Sequence, residues 1–200
     1  VYTSPHVQRF NESTALNGVP AINEAILDAF EAIDTARDDI TLSYFEFATL
    51  AALWLFRREG LDWQLLEVGL GGRLDAVNIV DADACVITSI GIDHTEWLGD
   101  TRELIAVEKA GVARAQCPAV IAETDSPSTL RPALEALGAK VYERGVEWQL
   151  VGDTLTLPSG DEVCCSVHIS LQASNLAAAA TVLSLLDVTF EHSLLAQALA

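Results

Sequence analysis

"LEVGLGGRLDAVNIV", residues 66–80, is the stretch on which the reading of this chain turns. An apolar run ends in a carboxylate, Glu67, then passes through Gly69, Gly71 and Gly72 into Arg73, Asp75 and Asn78. A buried strand that emerges at a charged residue and runs on through glycines lets a ligand approach the backbone closely. A plain glycine-rich connection, with Glu67 hydrated at its rim, accounts for the same residues. The spacing is G-L-G-G, and no lysine follows as in a Walker loop, so neither the dinucleotide nor the P-loop signature is complete.

A second strand end repeats the arrangement. In "SIGIDHTEWLG" (89–99), Asp93 and His94 leave an apolar run together. Alone they describe a turn with a surface histidine; with Glu67 at another strand end, they favour a shared site. The helix in "TRELIAVEKAGV" sets Ile105 and Val112 at i and i+7, with Glu108 and Lys109 between them on the same face. Burying those charges unpaired is costly, so they either build a site or form a solvated pair. Ser4, Pro5, His6 and Arg9 in "TSPHVQRFNE" follow strand-like residues, as a substrate loop or a surface turn does. Ser43 and Glu46 make an S-x-x-E capping box, which explains Glu46 by itself and leaves a substrate contact equally open.

Around these motifs, strand and helix alternate. Helical spacing of Ile22, Ile26, Ala29, Phe30 and Ile33 follows an Asn-Gly turn, and "FATLAALWLFRRE" is a second helix ending at Gly60. "WQLLEV" (63–68) and "ACVITSIG" (84–91) read as strands buried on both faces, "PAVIAE" and "AKVYE" as two more, with helices between them. The fold expected is α/β, a doubly wound and mostly parallel sheet with binding residues at the carboxyl ends of its strands. From about residue 146, period-two alternation around "GD" and "PSGD" predicts an antiparallel hairpin, followed by an alanine-rich helix.

Composition narrows the function classes. The chain has 200 residues, half of them apolar, enough for a substantial core. No apolar run reaches the roughly 18 residues that cross a bilayer, and the first residues lack a signal-peptide pattern, which predicts a cytoplasmic protein without membrane partners. A net charge of −18 opposes nucleic-acid binding. The four cysteines form no C-x-x-C pair and read as plain thiols. Lys109 and Lys140 are the only lysines, which gives a lysine inside a motif more weight. With no methionine at all, strand-like residues at the start and an alanine-leucine run at the end, the chain reads as a piece of a longer protein.

Taken in order, "TSPH" with "RFNE", "SYFEFAT", "LEVGLGGRLDAVNIV", "TSIGIDHTEWLG", "EKAG" and "QASNLAAAA" resemble the folylpolyglutamate synthase and dihydrofolate synthase family, the folate branch of the Mur-type ATP-dependent ligases. The resemblance implies that residues 1–200 are part of a central ATP-binding ligase domain. A P-loop segment would precede Val1, a C-terminal domain would follow Ala200, and the piece alone would be inactive. It implies ATP as co-substrate, Mg2+, a pteroate or folate whose carboxylate is activated as an acyl phosphate, and L-glutamate as acceptor, in a monomer. Glu67, His94 and a carbamylated Lys109 would hold the metal, His94 being the least expected because magnesium prefers oxygen. Lys109, His94 and Arg73 would serve catalysis. Ser4, Pro5, His6, Arg9, Glu46 and Asp75 would contact substrate, and Gln172 and Asn175 the nucleotide, although Leu171 replaces the histidine that opens the family's adenine segment. A non-catalytic α/β nucleotide-binding or interaction domain, or a peptidoglycan-precursor Mur ligase, are the competing classes.

Overall fold

In the computed structural model, which describes residues 1–164, 173–186 and 188, Asn17 and Gly18 take φ of 51° and 81°. Two consecutive positive φ values make the tight turn whose twist matches paired strands, and Asn-Gly is the dipeptide that adopts it most readily. It joins β1 (Ala15–Leu16) to β2 (Val19–Pro20), antiparallel. Helices α1 (Asn23–Arg37) and α2 (Tyr44–Glu59) follow and pack on each other through Ala25, Ile26 and Ala29 against Ala51 and Leu55. The predicted capping box starts α2, where the Glu46 amide donates to Ser43 Oγ (3.3 Å) and the Ser43 amide to Glu46 Oε2 (2.7 Å). Gly60, left-handed at φ 61°, ends it. Ile22 lies just before α1 and is 64% exposed, because the helical register begins one residue later than its spacing implied.

Tyr2 organises the rest of this first unit, Val1–Val80. Its side chain is buried with Ala52, Phe56 and Val77, and its hydroxyl accepts a bond from Thr49 Oγ1 (3.2 Å). Its backbone bridges Thr14 on one side and Leu66 on the other: the Tyr2 amide donates to the Leu65 carbonyl and the Glu67 amide to the Tyr2 carbonyl, both at 2.9 Å. Residues 63–68 are thus extended and paired in parallel. They are not buried on both faces as expected, since Trp63 and Leu65 are 60% and 67% exposed and the pairing among described residues is the single bridge at Leu66.

The second unit, Asp81–Ala200, carries the parallel sheet. Its strands β3 (Cys85–Ile87), β4 (Pro118–Ile121) and β5 (Lys140–Glu143) run side by side in that order. Between them come α3 (Thr95–Leu98) and α4 (Arg102–Ala110) after β3, then α5 (Leu130–Ala136) after β4. The middle strand is sealed on both faces: Ala119, Val120 and Ile121 are each 0% exposed. Ala119 and Ile121 join Ile105, Ala106, Leu130 and Leu134 of α4 and α5, while Val120 joins the opposite layer. That layer holds β6 (Gln149–Val151), β7 (Thr154–Thr156) and β8 (Glu162–Cys164), so the expected hairpin is extended to three antiparallel strands. The alanine-rich helix α6 (Ala173–Leu185) completes it, with Ala177, Ala178 and Ala180 buried beside Val120. Desolvation in the apolar sheet pushes the thiol of half-buried Cys85 up to about 11.

Arg131 of α5 ties this unit to the turn after β5. It reaches Glu135 (2.9 Å), Glu143 (3.1 Å) and Glu147 (2.7 Å). The bond from Arg131 is the main cause holding the Glu147 carboxyl below its usual range. A carboxylate whose pKa is depressed on folding adds stability above its unfolded pKa and loses it as pH falls through the folded value. Arg131→Met therefore is expected to lower unfolding free energy by about 1–3 kcal/mol at pH 7, because three carboxylates lose their shared cation. In chemical denaturation the deficit should shrink steadily below pH 5; a deficit constant down to pH 3 would contradict the ionic origin.

Candidate active site

In the first unit the glycine stretch folds around Asp75. Its Oδ2 accepts the amides of Gly69 and Leu70, both at 3.0 Å, and its Oδ1 accepts the Val77 amide at 2.9 Å, capping a short 3₁₀ turn over Ala76–Ile79. One carboxylate thus closes the loop onto itself, and bonds of this charge-assisted kind are stronger than neutral ones. Asn78 Nδ2 donates to the Arg73 carbonyl (3.1 Å). Gly69 is required for space, because a Cβ there would lie 2.7 Å from the Phe45 ring. Gly71 is required for conformation, with φ 67°.

This loop and α2 enclose an open cavity of about 390 Å³, lined by Glu46, Thr49 and Leu50 on one side and by Arg73, Asp75 and Asn78 on the other. Glu46 therefore does both things that its motif allowed: its carboxylate caps α2, and its side chain walls the cavity. The Ser43 amide holds the Glu46 carboxyl below its ordinary range. Glu67 stands exposed where the extended segment ends, and its carboxylate accepts a hydrogen bond from the Thr3 hydroxyl.

The loop from Ser4 to Arg9 is built on Glu12. The amides of Val7 (2.8 Å), Gln8 (3.2 Å) and Arg9 (2.9 Å) all donate to its carboxylate. The Val7 bond is the largest cause of the lowered Glu12 pKa. His6 leaves this loop against Phe10 and Tyr44, with ring centroids 5.8 and 6.4 Å away. Pro5 and Arg9 are exposed, and Ser4 is half-buried.

The second unit holds the other group of candidates. Asp93 and His94 follow β3 on a surface segment, and the His94 side chain is 56% exposed at φ 50°. Its ring lies 3.7 Å from the Asp93 carboxylate. Lys109 and Glu108 are half-buried on α4, next to buried Ile105, Ala106 and Ala110. Val112, expected on the same helical face, falls beyond the helix end at Ala110. Glu67 belongs to the first unit, His94 and Lys109 to the second. Asn175 is exposed on α6, and Gln172 and Leu171 lie outside the described residues.

Four residues with structural roles around the site were not singled out from the sequence. Thr3 and Glu12 support Glu67 and the first loop; Arg102 and Glu123 support the segment that carries His94. Glu123 had a legible signal, because it follows the apolar run "PAVIA" just as Glu67 follows its own run. Among the described residues, no three His, Cys, Asp or Glu side chains cluster closely enough to hold a metal.

No family model matches the chain. A curated relative, dihydrofolate synthase/folylpolyglutamate synthase of Escherichia coli (strain K12), is 51% identical over 148 residues, covering 74% of this chain and 35% of the relative. A solved structure of E. coli FolC in complex with DHPP and ADP has a TM-score of 0.92 and 40% identity, over 100% of this chain and 49% of that one. The bifunctional folylpolyglutamate synthase/dihydrofolate synthase from Yersinia pestis, complexed with AMPPNP and Mn ion, also gives 0.92 at 40% identity, over 99% of this chain and 49% of that one. The chain therefore spans about half the length of these solved relatives.

The contact of Gly69 with Phe45 yields a test of the loop. Gly69→Ala should cost about 1–3 kcal/mol through overpacking, and Phe45→Leu should relieve part of that cost. A double-mutant cycle in urea is expected to give at least about 1 kcal/mol of favourable coupling; strict additivity would mean that the loop does not press on the ring.

Proposed function

The chain belongs to the dihydrofolate synthase/folylpolyglutamate synthase family, and from that premise we propose that the protein containing it is an ATP-dependent ligase joining L-glutamate to dihydropteroate or a folate. The observation that carries this reading is the loop from Glu67 to Asn78, closed by Asp75 on three of its own amides beside a cavity, in a fold matching FolC throughout. Residues 1–200 would be part of the central domain, and alone they are expected to be inactive. We place the protein in the cytoplasm as a monomer; no helix among the described residues is long and apolar enough to cross a membrane.

In this mechanism the first-unit cavity takes the pterin end of the acid substrate. Asp75 and Glu46 offer acceptors to the ring's N–H groups, while Leu50 and its apolar neighbours cover a face. Ser4, Pro5, His6 and Arg9 contact the remainder, on a loop whose shape Glu12 holds. The substrate carboxylate takes the γ-phosphoryl group of ATP, giving an acyl phosphate, and the glutamate amine then displaces phosphate. Arg73, a cation on the first-unit loop, would offset negative charge as it moves onto the transferring group, and His94 of the second unit would serve the reaction through the metal. Gln172 and Asn175 are assigned to nucleotide contact by their place in the ordered motifs.

Each unit offers a donor that suits a divalent cation: in the first, Glu67 brings an exposed carboxylate, and in the second, Lys109, if carbamylated, would bring an anionic oxygen. His94 would be the least expected of the donors, since Mg2+ prefers oxygen. A bound divalent cation would supply positive charge against the phosphate oxygens of ATP.

In the complete gene product, ADP release should require both the pteroate or folate and glutamate; release indifferent to both would count against a ligase. Glu67→Gln is expected to cut turnover by two orders of magnitude or more with an unchanged melting temperature, since it removes an anionic oxygen at nearly constant volume. Lys109→Ala should be inactive and partly restored by acetate. Full activity without acetate returns Lys109 to a solvated surface role.

A further inference from the structure

The segment that carries His94 is exposed from Gly91 to Trp97, yet both its ends are fastened to the first turn of the helix that carries Lys109. At the near end stands Ile90, 3% exposed in the core beneath α4. Its amide donates to Glu123 Oε2 at 2.8 Å, and its carbonyl accepts from Arg102 Nε at 2.8 Å. At the far end Gly99, at φ 99°, lies so close to α4 that a Cβ would sit 2.7 Å from Leu104 Cδ1.

Arg102 is the first residue of α4, and Lys109 stands seven residues on, two turns along the same face. The guanidinium spends its whole fork here: Nη1 reaches Asp125 Oδ2 (2.8 Å), and Nη2 reaches the Asp125 carbonyl (2.6 Å) and Glu123 Oε2 (3.3 Å). Glu123, with a side chain 12% exposed, also accepts the amides of Thr124 (2.8 Å) and Asp125 (3.2 Å). One ion pair therefore binds both polar groups of Ile90, the end of β4 and the start of α4. A lysine cannot replace this fork, because its donors radiate from one atom.

We infer that Arg102 and Glu123 are positioning residues: they hold the His94 segment in register with the Lys109 helix and thereby set the affinity for the divalent cation. The inference rests on the metal-site reading proposed above. Neither residue touches the reacting atoms. Their effect passes through His94 and Lys109, as partners behind metal ligands commonly change affinity by ten- to a hundredfold.

The test titrates Mn2+ into the complete gene product with saturating AMPPNP, reading free Mn2+ by electron paramagnetic resonance. Arg102→Lys and Glu123→Gln should each weaken Mn2+ at least about tenfold. Amide exchange across Ile90–Thr95 should accelerate in both. Arg131→Lys, which disturbs the separate α5 ion pairs, should lower the melting temperature with Mn2+ affinity unchanged. Glu123→Gln keeps an acceptor for the Ile90 amide at equal volume, so it serves if the arginine variant does not fold. Wild-type Mn2+ affinity in the folded variants, with His94→Ala weakened, overturns the positioning role and spares the metal site. Wild-type affinity in His94→Ala as well overturns the metal-site reading, and the inference falls with it.

Discussion

A strand sealed on both faces admits no polar side chain where it is sealed, and β4 is sealed from Ala119 to Ile121. Its Ala119 and Ile121 face one layer of helices, its Val120 the other layer. Burying a carboxylate at any of those positions would cost several kcal/mol. Polar chemistry is therefore forced to the strand's end, where the backbone runs out of ladder partners and its amides become available. Glu123 occupies that position, and it takes up three amides of the neighbouring segments. The parallel arrangement of β3, β4 and β5 gathers their carboxyl ends on one edge, so the His94 segment and Glu123 share it.

The same device recurs in the first unit, where Asp75 and Glu12 each bind three backbone amides and Glu46 caps a helix. With 29 acidic and 11 basic residues, the chain cannot pair most of its carboxylates with cations. Amides serve instead. A carboxylate oxygen shared between successive N–H groups satisfies donors that a non-repetitive loop would otherwise leave to water. The acidic residues of these loops are thus part of their scaffold.

How far the sequence alone reached can be followed residue by residue. The Asn-Gly turn, the Ser43–Glu46 box, the Gly60 cap and the start of the helix at Arg102 were legible because each depends on neighbours within four residues, whereas that helix stops at Ala110, short of the Val112 its spacing included. The alternation of apolar runs with helical segments announced the parallel sheet, although within it β3 is partly and β5 only half buried, so full burial on both faces is reached in β4 alone among the described strands. The ordered motifs from "TSPH" to "EKAG" reached further, to the family.

Other features were settled only by tertiary structure. Whether residues 63–68 were buried on both faces depended on which chain lay beside them, and the answer was Tyr2 at one bridge. Glu67 and Asp75 look alike in sequence, two carboxylates around three glycines. The fold leaves one exposed beside Thr3 and turns the other inward onto three amides. Arg102 and Glu123 are 21 residues apart, and no local pattern foretells that both will grip Ile90. Local rules determine which elements form and where they stop. Hydrogen bonds between distant residues decide which of several similar side chains holds the frame and which is left exposed, because that choice depends on the three-dimensional path of the backbone.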